Sequence, residues 1–131
     1  MPTRPLSPHL SVYQMSRYTL LTSILNRLAG IALSVALLAL VYWLMAVAGG
    51  AHTQAQAERL LALPVMKLVG AVCIMAFCYH LTAGIRHLVW DTGHGLERAQ
   101  ARGSSWLVAA LSIVLALVIG YWAWMAAGRA P

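Results

Sequence analysis

The chain has 131 residues, of which 61% are hydrophobic and only 9% are charged, and its formal net charge is +6. Because a soluble domain carries about a quarter charged residues, this sequence has too little polar surface to cover a water-soluble globule. The nine Lys and Arg residues lie at the ends of apolar segments, not in a stripe with interleaved aromatics. This pattern favours an anionic membrane surface over nucleic acid as the partner.

Three long apolar segments follow a polar, Pro-rich start, and they predict an all-α membrane protein with three transmembrane helices. Residues 1–20 are expected to form a cytoplasmic leader. They are not interpreted as a signal peptide, because the apolar run that follows is too long for one. The first helix is expected over about 22–48, since its uncharged stretch reaches roughly 30 Å, one hydrocarbon thickness. Gly49 and Gly50 are expected to end it, and a short polar loop to follow.

The second helix is expected over about 61–90, with Pro64 in its first turn, where a missing N–H costs nothing. A loop is expected over residues 92–103, and the third helix over about 105–127. Trp and Tyr cluster at the segment ends, as in the aromatic belts of membrane proteins. The chain, residues 1–131, is interpreted as a single membrane-anchor domain.

The basic residues predict the orientation in the membrane. By the positive-inside rule, the N-terminus lies in the cytoplasm and the C-terminus on the outer side. We therefore expect a multi-pass protein of the inner (cytoplasmic) membrane, with the mitochondrial inner membrane as the less favoured alternative. The inner side holds Arg4, Arg17, Arg27, Arg86, Arg98 and Arg102, and the outer side holds Arg59, Lys67 and Arg129.

His80 lies inside the second apolar segment, where an ionisable group is costly and is a functional candidate by default. Neutral imidazole is a good iron ligand. Gly84, at i+4, leaves room for a flat macrocycle, and His87, at i+7, lies about 10 Å closer to the cytoplasm on the same face. A haem with its iron at His80 would place its propionates near His87 and either Arg27 or Arg86. On these residues alone, a His80 that only hydrogen-bonds a neighbouring helix is an open alternative.

This chain offers one usable axial ligand. His80 and His87 project from one helix face, whereas two axial ligands approach a haem from opposite sides. The first and third apolar segments contain no His, and Met45 and Met125 lie near the outer ends. A second ligand is therefore expected from another chain, in an obligate oligomer.

Ser23 and Arg27 are one helical turn apart and face the same way. A hydroxyl beside a fixed cation can bind a quinone carbonyl, and Arg can stabilise the charge that develops when the carbonyl is reduced. The spacing alone favours a simpler interpretation, with Ser23 as a helix cap and Arg27 as a positive-inside anchor.

Three stretches resemble the cytochrome b556 subunits of succinate dehydrogenase. Residues 80–93 match the specific pattern H-x3-G-x-R-H-x3-D-x-G. Residues 23–30 resemble the element S-x-x-H-R-x-[ST]-G, and residues 4–13 resemble the leader of that family. Together with the three expected helices, the resemblance covers nearly the whole chain.

The resemblance implies a haem b-binding anchor of complex II, the succinate:quinone oxidoreductase of the tricarboxylic acid cycle and respiratory chain. The family assembles with a flavoprotein that carries FAD, an iron–sulfur subunit and a second membrane anchor. His80 corresponds to the axial ligand of a haem shared with that second anchor. Ser23 and Arg27 correspond to the site for ubiquinone or menaquinone. The isolated chain has no flavin or nucleotide motif, so we expect activity only in the complex.

Asn26 departs from the family pattern, because it stands where the family usually has a His near a haem propionate. Asn can donate a hydrogen bond but carries no charge. The propionate contacts would then fall to His87, Arg27 or partner residues. Two alternatives remain open: a fumarate reductase anchor, and a non-redox membrane subunit in which His80 packs or relays protons.

Overall fold

The computed structural model describes residues 17–127, and the chain is helical over most of that range. Its elements are α1 (Arg17–Ala48), α2 (Ala51–Leu61), α3 (Pro64–Asp91) and α4 (Arg98–Ala127). Three of them, α1, α3 and α4, are long and apolar enough to cross a membrane. The expectation of an all-α chain with three such helices is confirmed for the described residues.

Two helices begin earlier than expected. α1 begins at Arg17, inside the segment expected to be leader, whereas residues 1–16 lie outside the described part of the chain. α4 begins at Arg98, in the segment expected to be a loop, since the stretch Arg-Ala-Gln-Ala that opens it consists of strong helix formers. The uncharged stretch marks the hydrocarbon layer, and a helix can continue past it into the headgroups.

The prediction of a loop after the first span is wrong, because residues Ala51–Leu61 form α2. Its sequence is rich in Ala, Gln and Leu and has no Gly or Pro, so polar composition there does not prevent a helix. Gly50 makes the turn from α1 with a φ of 99°, a conformation that favours glycine. The Thr53 hydroxyl then donates to the carbonyl oxygens of Ala46, at 2.7 Å, and of Gly50, at 2.9 Å, and so fixes α2 against the end of α1.

A tight turn joins α3 to α4. Gly93 and Gly95 both have positive φ, 82° and 77°. The indole N–H of Trp90 donates to the Gly95 carbonyl at 3.1 Å, and this bond closes the turn over the end of α3. The two helices therefore run antiparallel, and α3 packs more extensively against α4 than against α1.

Small side chains fill the contacts between the helices. Close approach through small residues is how helices associate where lipid removes the hydrophobic driving force. Most of the large apolar side chains instead point outwards, as on a surface that lipid or partner helices cover. Among the residues whose burial the structure describes, the buried apolar ones are Ala29, Ala46, Ala57, Cys78, Ala83 and Val108.

Candidate functional site

A polar cluster lies between α3 and α4 in the interior of the helix bundle. The Thr82 and Ser112 hydroxyl oxygens are 2.7 Å apart, and both residues are buried. Each hydroxyl also lies within hydrogen-bond distance of a carbonyl oxygen one turn earlier in its own helix, that of Cys78 or Val108. The pair therefore leaves no hydroxyl unpaired in the apolar interior.

Arg86 links all three long helices. Its side chain is 7% exposed, Nη1 donates to the Ser105 hydroxyl at 2.7 Å, and Nη2 donates to the Thr22 hydroxyl at 3.3 Å. The guanidinium also lies 4.4 Å from the ring centroid of Trp90, a cation–π contact. The sequence suggests Arg86 as one of two arginines that could bind a haem propionate, but in the structure its contacts hold it inside the bundle.

Tyr79 and His80 bind α3 to two successive turns of α1. The Tyr79 hydroxyl donates to the Thr22 carbonyl at 3.0 Å, and His80 Nδ1 lies 3.2 Å from the Asn26 carbonyl oxygen. Because a carbonyl oxygen only accepts, Nδ1 carries the proton in this contact. The lone pair of Nε2 is then available to a metal ion.

The His80 ring lies on an open face of the bundle. The side chain is exposed, and Gly84, one turn further along α3, has no atom within 4 Å of the place where a Cβ would be. This open space fits the flat macrocycle expected beside His80. Within residues 17–127, no three His, Cys, Asp or Glu side chains group to hold a metal ion.

His87 is half-buried, and its contacts lie within α3. Its Nδ1 is 2.7 Å from the Ala83 carbonyl oxygen, and its ring meets that of Trp90 edge-on, with 5.3 Å between centroids. The Ala83 contact assigns the proton to Nδ1, as in His80. The two histidines, about two turns apart on one helix, thus both direct Nδ1 at a backbone carbonyl oxygen.

Ser23 and Arg27 lie on the part of α1 that is hydrogen-bonded to α3. Ser23 directly follows Thr22, and Arg27 directly follows Asn26, the two residues whose carbonyls accept from α3. Arg27 is exposed and Ser23 is half-buried. The Asn26 side-chain oxygen is buried and has no hydrogen-bond partner within the described chain. One backbone carbonyl therefore connects the His80 ring to the Ser23–Arg27 turn.

Comparison with known proteins identifies the group to which this chain is related. Residues 1–119 match the family described as succinate dehydrogenase/fumarate reductase transmembrane subunits.

The chain belongs to this family.

Bacterial and mitochondrial relatives agree with that assignment. The succinate dehydrogenase cytochrome b556 subunit of Paracoccus denitrificans is 38% identical over 115 residues, 88% of each chain. The b556 subunit of Rickettsia prowazekii is 35% identical over 120 residues, 88% of this chain and 90% of the relative. The mitochondrial cytochrome b560 subunit of Bos taurus is 34% identical over 113 residues, 85% of this chain and 66% of the relative. The resemblance found in the sequence motifs is thus confirmed, and the chain is a multi-pass membrane subunit of this family.

Several contacts around His80 were not predicted from the sequence motifs. The motifs contain His80, but they do not show that its ring contacts α1 or that Arg86 is buried. The sequence does contain an indication of these contacts, because the spacing of Tyr79, Thr82 and Arg86 places them on one face of a helix. A face of polar residues within an apolar helix points into the bundle.

Proposed function

We propose that this chain is the haem b-binding membrane anchor of a succinate:quinone oxidoreductase and contributes to its quinone-reduction site. The geometry of His80 carries the proposal. Its ring is exposed, its Nδ1 proton is held by the Asn26 carbonyl, and Gly84 leaves open space on the same face. Iron-binding histidines characteristically donate their second N–H to such an acceptor. The bacterial relatives are named cytochrome b556 subunits, which supports haem b as the group.

His80, His87 and Arg27 would hold the haem. His80 Nε2 would bind the iron from this chain, and the second anchor subunit would supply a further ligand. Arg27 is exposed and His87 is half-buried, and we assign both to the propionates, in place of the usual His at Asn26. When bound, haem b supplies a one-electron carrier.

Ser23 and Arg27 would bind the quinone. The Ser23 hydroxyl donates a hydrogen bond to a quinone carbonyl, and the Arg27 guanidinium stabilises the negative charge that develops on this oxygen. The hydrogen bonds from α3 to Thr22 and Asn26 support this assignment, since they hold the adjacent turn in place. Preorganised donors are more effective than donors that must reorient during reaction.

The partners follow from the proposed complex. A flavoprotein with FAD oxidises succinate, an iron–sulfur subunit passes the electrons on, and ubiquinone or menaquinone accepts them where the anchors meet the iron–sulfur subunit. The names of the relatives favour succinate oxidation over fumarate reduction as the physiological direction. We place the complex in the bacterial inner membrane, with the N-terminus of this chain in the cytoplasm.

A reduced-minus-oxidised spectrum of the purified complex tests the haem assignment. The wild-type complex is expected to show a six-coordinate haem b signal, and His80→Ala is expected to abolish it, because the iron loses an axial ligand. His52→Ala is the matched control, since it removes an exposed imidazole from α2. A haem b spectrum unchanged by His80→Ala would contradict the proposal.

A further inference from the structure

Helix α1 provides a contact surface for the His80 ring. The Asn26 carbonyl oxygen is 3.2 Å from Nδ1, and Gly30, one turn further along α1, lies against the same ring. A Cβ added at Gly30 would be 3.2 Å from Cε1, 3.6 Å from Nδ1 and 4.0 Å from Nε2. The ring is therefore in close contact with the bare backbone of α1.

The two contacts have different effects on the imidazole. The hydrogen bond to Asn26 fixes the tautomer and the rotation of the ring, and it raises the basicity of the nitrogen opposite. The missing side chain of Gly30 sets how closely the ring approaches α1. A distance of 3.2 Å from a Cβ is tighter than nine in ten real contacts, so a side chain at this position requires the ring to move.

We propose that Gly30 is a positioning residue for the metal-ligating imidazole of His80, which it keeps within hydrogen-bond reach of the Asn26 carbonyl. The inference rests on the proposed role of His80 as haem ligand. It adds that α1, the helix that carries Ser23 and Arg27, also tunes the electronic properties of the haem. The tuning acts through backbone atoms, so the side chain at position 26 does not determine it.

A side chain at Gly30 should shift the reduction potential in a defined direction. It moves the ring away from α1 and lengthens a hydrogen bond that is already 3.2 Å long. Nε2 then becomes a weaker donor, and ferric iron loses more stabilisation than ferrous iron. The midpoint potential is therefore expected to rise, and a rotated ring plane should displace the largest g value of the low-spin ferric signal.

The experiment compares Gly30→Ala and Gly30→Val in the purified complex with Gly70→Ala and Gly120→Ala. The two control glycines also lie in helices, but no atom lies within 4 Å of an added Cβ. Ala in place of a helical Gly favours the helix, so a spectral change is not the expected result of helix loss. The readouts are a redox titration of the haem and its electron paramagnetic resonance spectrum.

A graded change supports the proposal: both readouts shift in Gly30→Ala, shift further in Gly30→Val and match wild type in the controls. If the Val variant does not assemble, the smaller Ala variant decides. A Gly30→Ala complex with wild-type potential and g values would overturn the inference, even when His80→Ala still removes the haem. A haem b spectrum unchanged in His80→Ala would instead overturn the proposed function itself, so the two failures are distinguishable.

Discussion

Arg27 is an exposed cation on the turn of α1 that α3 holds through Asn26. We predict that Arg27→Ala lowers quinone reductase activity by roughly 10–100-fold, because a hydrogen bond to a charged group contributes about 1.5–3 kcal/mol. Succinate oxidation with a soluble dye acceptor should stay near the wild-type rate, since that acceptor bypasses the membrane site. The two assays on the same purified complex provide the measurement.

A change of charge alone must be separated from loss of the site. Arg59→Ala removes an exposed arginine from α2, at the opposite end of α1, and should leave both activities unchanged. If Arg27→Ala lowers the dye-linked and quinone-linked rates together, the residue serves assembly of the complex and the quinone assignment is wrong.

At single positions, the sequence identifies candidate residues but not their surroundings. His80 and Gly84 were identified from residue type and spacing, and the open space beside them agrees with that expectation. The partner of His80 is a backbone carbonyl, which every residue type provides, so the sequence carries no signal for it. Arg86 was assigned to the interface because charge predicts exposure, but Ser105 and Thr22 supply acceptors that make its burial possible.

At the scale of the helices, Ser105 connects α4 to α3 through the buried Arg86 guanidinium. Ser105→Ala removes the acceptor of Nη1, in a side chain whose Nε already has no hydrogen-bond partner within the described chain. We predict a loss of about 1–3 kcal/mol in the free energy of unfolding, since an unpaired buried donor bears its full desolvation cost. Titration of the detergent-solubilised chain with SDS, followed by tryptophan fluorescence, measures the loss.

Ser104→Ala is the neighbouring control for that prediction. Ser104 and Ser105 both donate to the Ala101 carbonyl, but only Ser105 also accepts from Arg86. The control should therefore cost much less, within about 0.5 kcal/mol of wild type, as for substitutions away from such features. Equal losses in the two variants would show that the contact with Arg86 contributes no stability.

Helix boundaries were predictable only where the chain itself supplies a stop. Gly49 and Gly50 ended the first helix as expected, and Pro64 opens α3 in its first turn. Elsewhere polar composition predicts a loop, and this prediction misses α2 and the start of α4, where even Gly103 lies within the helix. Polarity marks the edge of the hydrocarbon layer, whereas helix formation depends on propensity and hydrogen bonding.

For the whole molecule, three long helices place α2 on one side of the membrane and the turn that contains His94 on the other. The arginines near the His94 side predict that this side is cytoplasmic and that α2 is outside.

In intact cells whose outer membrane is permeabilised, a membrane-impermeant maleimide should label Gln56→Cys, which is exposed on α2. His94→Cys should be labelled only after detergent or inversion of the membrane. The wild-type chain, whose Cys73 and Cys78 lie within α3, gives the background. Labelling of His94→Cys from outside would reverse the topology and would place the His87 end of the proposed haem site on the outer side.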